Sequence, residues 1–146
     1  MKASTLSPAN AEHYAQLVRE GGLPLAGLLT STECFEFCDD QDTIVGFAGL
    51  QRVGADALLR SLVVFPARQK AGFGSAIVRW IVSFASSNGI SRLFALTTTS
   101  QPFFRKCGFQ TIDRASVPQS ICGLTEFSES CCSSAYVMKR DLIRTG

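Results

Sequence analysis

The stretch Leu58-Leu59-Arg60-Ser61-Leu62-Val63-Val64-Phe65-Pro66-Ala67-Arg68-Gln69-Lys70-Ala71-Gly72-Phe73-Gly74-Ser75-Ala76-Ile77-Val78 decides the fold. Its apolar first half, from Ala57 to Phe65, predicts a long central strand. A basic, glycine-punctuated loop follows, and Ile77, Val78, Ile81, Val82 and Phe84 then recur at helical spacing over Gly72 to Ala85. Strand, glycine loop and helix in immediate succession make an anion cradle. The first backbone N–H groups of a helix have no partner within it and lie at the positive end of its dipole. Gly72 and Gly74 allow a ligand close to the backbone, and Arg68 and Lys70 add mobile positive charge at the mouth. A polyanion such as a pyrophosphate is the expected guest.

Two common phosphate loops are excluded. No Lys-Ser or Lys-Thr pair follows either glycine, which removes a nucleoside-triphosphate P-loop. A dinucleotide fingerprint needs a third glycine where this chain has Ile77. Further on, Phe103-Phe104-Arg105-Lys106-Cys107-Gly108-Phe109 ends in a Gly-Phe that predicts a helix stop followed by a strand start.

Together, Val-x-Pro-x-x-x-Gln-x-x-Gly-x-Gly from Val64 to Gly74 and Phe-x-x-x-Gly-Phe from Phe104 to Phe109 resemble the GNAT acyl-CoA N-acyltransferase superfamily. The resemblance implies a mixed α/β (α+β) fold, with a mostly antiparallel central sheet, a splayed parallel strand pair and helices on both faces. The element order read from the residues agrees with it along nearly the whole chain. Lys2 to Leu6 predicts a strand, and Ser7-Pro8 starts a helix that stops at Gly21-Gly22; a second short helix is expected after Pro24. Cys34 to Cys38 and Thr43 to Leu50 form a hairpin around Asp39-Asp40-Gln41-Asp42, ahead of the central strand. Beyond the cradle helix come a strand at Leu93 to Leu96, a helix at Gln101 to Cys107 and a strand at Phe109 to Ile112. An irregular or helical stretch from Val117 to Ser130 leads to a last strand around Ala135 to Lys139. Leu96-Thr97-Thr98-Thr99, Asp113 to Pro118, Thr125-Glu126-Phe127 and Cys131-x-x-Ser134-Ala135 look like the small arsenic-resistance N-acetyltransferase branch, although that branch has Cys-Pro where this chain has Cys131-Cys132. The Leu-Thr-Thr and Phe-Phe features are also similar to the acetyltransferase domain of N-acetylglutamate synthase.

Composition narrows the alternatives. A chain of 146 residues is expected to be one domain able to bury a core unaided. A net charge of +2 with 18% charged residues offers no basic face for nucleic acid. No run approaches the ~18 apolar residues of a membrane span, and Met1 to Leu6 has no signal-peptide core, so a cytosolic protein is expected. The six cysteines then read as reduced thiols rather than a disulfide frame. Neither Cys34-x-x-x-Cys38 nor Cys131-Cys132 forms paired zinc knuckles, and His13, the sole histidine, falls on the first helix, so no metal is expected.

Acetyl transfer from a thioester to an amine needs a neutral amine, a donor for the developing oxyanion and a proton for the departing thiolate. The resemblance implies acetyl-CoA as co-substrate and a small-molecule amine as acceptor. It assigns the main chain of Leu62, Val63 and Val64 to the acetyl and pantetheine amides. The N–H groups of Gln69, Lys70, Ala71, Gly72, Phe73, Gly74 and Ser75 fall to the pyrophosphate. Thr97 stands where the family commonly has an asparagine facing pantetheine. Phe104 stands where many members have a proton-donating tyrosine, which leaves water or Cys107 for that task. For the base, Glu126 is preferred over Glu33 and Glu36 because it lies in the branch-like Thr125-Glu126-Phe127 motif, in a segment without strong periodicity. Arg60, charged within an apolar strand, is expected to meet an anion, and Arg114 is a second candidate for a substrate carboxylate. A glutamate-like or arsenical amino acid would suit such a site, and a homodimer is compatible with all of this. A non-catalytic acyl-CoA-binding module is the rival reading, supported by the missing tyrosine.

Overall fold

The computed structural model describes residues 1–23, 27–29, 32–124 and 135–142. Its strands are β1 (Lys2–Thr5), β2 (Glu33–Cys38), β3 (Ile44–Val53), β4 (Asp56–Val64), β5 (Arg92–Thr97), β6 (Gln110–Ile112) and β7 (Tyr136–Asp141). The helices are α1 (Pro8–Glu20), α2 (Phe73–Ser87), α3 (Gln101–Lys106) and the single turn α4 (Gln119–Cys122). The strands form one sheet in the order β1-β2-β3-β4-β5-β7-β6. Every pairing is antiparallel except β4 with β5. This is the mixed α/β architecture expected from the sequence. The helix expected after Pro24 begins outside the described residues, where Glu126, Cys131 and Cys132 also lie.

Helices cover both faces. On one, α2 buries Ile77, Val78 and Ile81 against Phe35, Phe37, Leu50, Ala57, Leu59 and Ala95, and Phe104 of α3 joins them. On the other, Tyr14 and Val18 of α1 pack on Cys34 and Phe47, while Ile121 of α4 packs on Leu58 and Phe94. α1 begins at Ser7 and Pro8 as expected, but the Ser7 hydroxyl makes no cap bond. Glu36 of β2 serves the helix start instead, its Oε1 accepting from Ser7 N–H at 2.7 Å and from the Asn10 amide at 3.2 Å. A carboxylate at that pole is favoured by the helix dipole.

The parallel pair places the site. β4 and β5 are in register only from Asp56 opposite Arg92 to Leu59 opposite Ala95. The Arg92 guanidinium grips the Asp56 carboxylate with both ends, at 2.8 and 2.9 Å, and so closes the near end of the pair. Beyond Leu59 the strands part, and β4 runs on to Val64 with one edge unpaired. That parting is the splay the resemblance implies.

Candidate functional site

β4 contains a β-bulge at the point where it leaves β5. Phe47 faces Val63 and Gly49 faces Arg60, so Ser61 and Leu62 together oppose Ala48 alone. Ser61 absorbs the extra residue with φ of 56°, a left-handed conformation that side-chain-bearing residues seldom adopt. The consequence is a switch of faces. Ahead of the bulge Ala57 and Leu59 face α2 and Leu58 faces α4; after it Leu62 and Val64 face α2, whereas Val63 and Phe65 face α1. Tyr14 of α1 is fully buried and donates its hydroxyl to the Ser61 carbonyl at 2.8 Å.

A cleft of ≈ 610 Å³ occupies the splay. Of the residues singled out in the sequence, Arg60, Leu62, Val64, Gln69, Gly74, Thr97 and Phe104 line it. Arg60 is only 2% exposed and shares its sheet face with Leu58, the side of α1 and α4. Its Nε donates to Ser61 Oγ at 3.3 Å. Room for its stem comes from Gly49 directly opposite, where a Cβ would stand 3.4 Å from Arg60 Cγ and 2.8 Å from Thr32 Cγ2. Arg60 also pulls against the burial that lifts the neighbouring Cys34 thiol to about 11.

The cradle lies on the α2 face of the same cleft. After β4 a short 3-10 turn, Pro66–Arg68, leads to Lys70 at φ 70° and Gly72 at φ 85°, and α2 starts at Phe73. The first helical bond runs from Ala76 N–H to Gly72 O at 3.1 Å, leaving the amides of Phe73, Gly74 and Ser75 without a helical acceptor. No acidic residue occupies the first turn. A Cβ on Gly72 would meet nothing within 4 Å, which is the open space an anion needs. Lys70, Ala71 and Gly72 are exposed, and Gln69 folds its amide back onto the Val64 carbonyl at 3.1 Å, tying the loop to the strand end.

Several expectations are corrected. Arg68 is not a mobile charge at the mouth, because it pairs with Asp39 of the β2–β3 turn at 2.9 Å. Glu33 is engaged by Arg52 at 2.7 Å and Glu36 by the start of α1, so neither alternative base faces the cleft. Arg114 does not line the cleft; it donates to the Ala135 carbonyl at 2.9 Å, and Ala135 is part of the wall. Val63 turns its side chain to α1, so any ligand contact there runs through its backbone. Thr97 Oγ1 accepts the Ser100 N–H at 2.8 Å, leaving its hydroxyl proton available to a guest. Phe104 is buried against Phe103 and Phe109. Cys107 is absent from the cleft wall; burial raises its thiol pKa against an opposing hydrogen bond with Ser75. The sequence did not point to the bulge, to Gly49 or to a hydrogen-bonding role for Tyr14, which falls on the apolar face of the first helix. Among the described residues no three metal-ligating side chains converge, and no helix is long and apolar enough to cross a membrane.

The acetyltransferase (GNAT) domain family matches residues 31–111, more than half of the chain and the run from β2 into β6. The chain belongs to this family. Its stretch of 59 residues that is 39% identical to the amino-acid acetyltransferase of Neisseria meningitidis covers 40% of the GNAT chain and only 14% of that relative. N-acetylglutamate synthase from Neisseria gonorrhoeae, solved with coenzyme A and N-acetyl-glutamate, superposes with a TM-score of 0.81 at 24% identity, covering 98% of this chain and 35% of that one. Rv2747 from Mycobacterium tuberculosis, solved with CoA, gives the same TM-score of 0.81 at 20% identity over 98% of this chain and all of that one. At these identities the superpositions establish the GNAT fold.

Proposed function

We propose that this GNAT domain transfers the acetyl group of acetyl-CoA directly to the amino group of an amino acid, whose carboxylate meets Arg60. The observation that carries the reading is Arg60 itself: a guanidinium 2% exposed, in the wall of a cleft whose other face holds the helix-start cradle. A guanidinium in that wall offers positive charge and a planar fork of donors that matches a carboxylate. The CoA pyrophosphate would lie on the amides of Phe73, Gly74 and Ser75, below Lys70, Ala71 and Gly72. The free edge of β4 at Leu62, Val63 and Val64 would pair with pantetheine, with the Thr97 hydroxyl beside it. The amine enters from the α1 and α4 side, so donor and acceptor meet through the splay. Arg114 holds the wall at Ala135, and Glu126 is proposed as the base.

CoA complexes of the structural neighbours and the amino-acid acetyltransferase relative support both substrates. The resemblance of the Leu96 to Thr99 and Thr125 to Phe127 stretches adds glutamate-like and arsenical amino acids to the acceptors worth assaying. Phe104 offers no proton, so CoA departs as the thiolate, a weak enough base to leave without one, and picks up its proton from solvent afterwards. The same phenylalanine favours a second reading, an acyl-CoA-binding module without transfer.

Release of free CoA over a panel of amino acids and their decarboxylated amines tests the proposal. The amino acid should be preferred by roughly a hundredfold in kcat/KM, the scale of losing a charge-assisted hydrogen bond to the substrate. Arg60→Gln should erase most of that preference by raising the acceptor KM, while Glu126→Gln should lower kcat. Equal rates on acids and amines remove the carboxylate assignment. CoA binding without any release of CoA favours the module.

A further inference from the structure

We infer that Tyr14 is a positioning residue for acetyl transfer: from α1 it holds the Ser61 peptide of β4 in the orientation that presents the Leu62 N–H to the thioester. The inference rests on the acetyl-transfer reading above. Ser61 lies between the acceptor-side Arg60 and the cofactor-side Leu62, and all three line the cleft. Its φ of 56° is one a serine adopts only when its surroundings impose it. The imposing group is visible. The Tyr14 hydroxyl, on a side chain with no exposed surface, donates to the Ser61 carbonyl at 2.8 Å, and its ring is stacked on Phe47 with centroids 4.8 Å apart. Arg60 Nε donates to the Ser61 hydroxyl at 3.3 Å.

A trans peptide is planar, with C=O and the following N–H on opposite sides. Holding the Ser61 carbonyl toward α1 therefore turns the Leu62 N–H away from α1. On a strand edge that has parted from β5, that amide is a preorganised donor for charge developing on the thioester oxygen. No side chain needs to touch the substrate for Tyr14 to matter. α1 also ends at Gly21 and Gly22, which line the same cleft, so one helix contacts the acceptor side and fixes the oxyanion side.

The test is Tyr14→Phe, which keeps the ring and removes the hydroxyl. CoA affinity by calorimetry should stay within about twofold, because the cradle is untouched, while kcat falls roughly ten- to a hundredfold with little change in either KM. Glycine adopts the left-handed conformation freely, so Ser61→Gly should relieve the need for the hydroxyl: Tyr14→Phe should do much less harm in that background than in wild type. Unchanged kcat in Tyr14→Phe, an equal loss of CoA affinity, or an additive double variant overturns the inference. If Tyr14→Phe alone does not fold, the double variant decides: folding with the activity of Ser61→Gly upholds the role, and failure to fold overturns it. A wild-type protein that binds CoA and transfers to no amino acid overturns the function reading instead. The hold on the bulge is then judged from a crystal structure of Tyr14→Phe, where Ser61 retaining its positive φ counts against Tyr14.

Discussion

Gly72 and Gly74 look interchangeable in the sequence and have different work to do. Gly72 needs its positive φ and borders open space, so a side chain there strains the backbone and projects where the pyrophosphate would lie. Gly74 has an ordinary helical backbone, and a Cβ on it would rest 3.4 Å from the Phe103 ring. Gly72→Val should weaken CoA binding at least tenfold, about 1.4 kcal/mol, and Gly72→Ala should weaken it measurably. Gly74→Ala should be nearly silent, whereas Gly74→Val pushes Phe103 and narrows the cleft between α2 and α3. Titration calorimetry reads all four, and equal losses for the two alanine variants would remove this division of roles. Lys70→Ala should cause a smaller loss that fades with added salt, as an exposed charge does. The strand, loop and helix around the cradle were legible because their signals are local, glycine punctuation and an apolar helical period, whereas the pairing of Arg68 with Asp39 was not. Nor was the bulge. Nothing about a serine announces a left-handed φ, and the extra residue exists only relative to the register of β3.

At the scale of elements, the same contrast holds between periodicity and pairing. Strands and helices fell close to their expected positions, with β7 running on to Asp141 and α2 to Ser87, because alternation and helical spacing are properties of neighbouring residues. The partners of isolated charges are not: Glu33 meets Arg52, Glu36 meets Ser7, and Asp39 meets Arg68 across elements distant in the chain. Asp39 ties the β2–β3 turn to the segment that carries the cradle. N–H groups of Thr43 and Gln41, with Arg68, hold its carboxyl below the usual aspartate value of 3.8. The unfolded chain therefore binds the proton more readily than the folded one. Stability from this group is fully present above 3.8 and is lost as pH falls through the lowered folded value. Asp39→Asn should be less stable than the parent at neutral pH and should show a flatter decline in acid. Thermal melts from neutral pH down to about pH 3 check this, the ordinary aspartate range being the window. Parallel melting curves for parent and variant across that window would assign the acid sensitivity to other carboxylates.

At the scale of the whole molecule, the sheet would separate the two substrates proposed above. The cradle and Leu62 face α2, Arg60 faces α1 and α4, and the parting of β4 from β5 is the passage between them. Such an arrangement favours direct attack with both substrates bound. A covalent route would need a nucleophile in the passage whose proton is held by a base, and the described hydroxyls there face hydrogen-bond donors instead. Ser61 Oγ accepts from Arg60 and Thr97 Oγ1 accepts from Ser100. The Cys34 thiol, pushed to about 11 by burial, is bound to the Leu28 carbonyl at 3.1 Å, and Cys107 is raised by burial outside the wall. A thiol above its ordinary ~8.5 is almost wholly protonated at neutral pH and a poor nucleophile. Initial rates with both substrates varied should therefore give intersecting reciprocal plots, and radiolabelled acetyl-CoA without acceptor should leave no label on the protein after denaturation. Cys107→Ser should keep transfer within a few-fold of wild type, since neither step uses its sulfur. Parallel plots together with label retained on a cysteine would replace direct attack by a thioester intermediate, with the cradle and the GNAT fold left as they are.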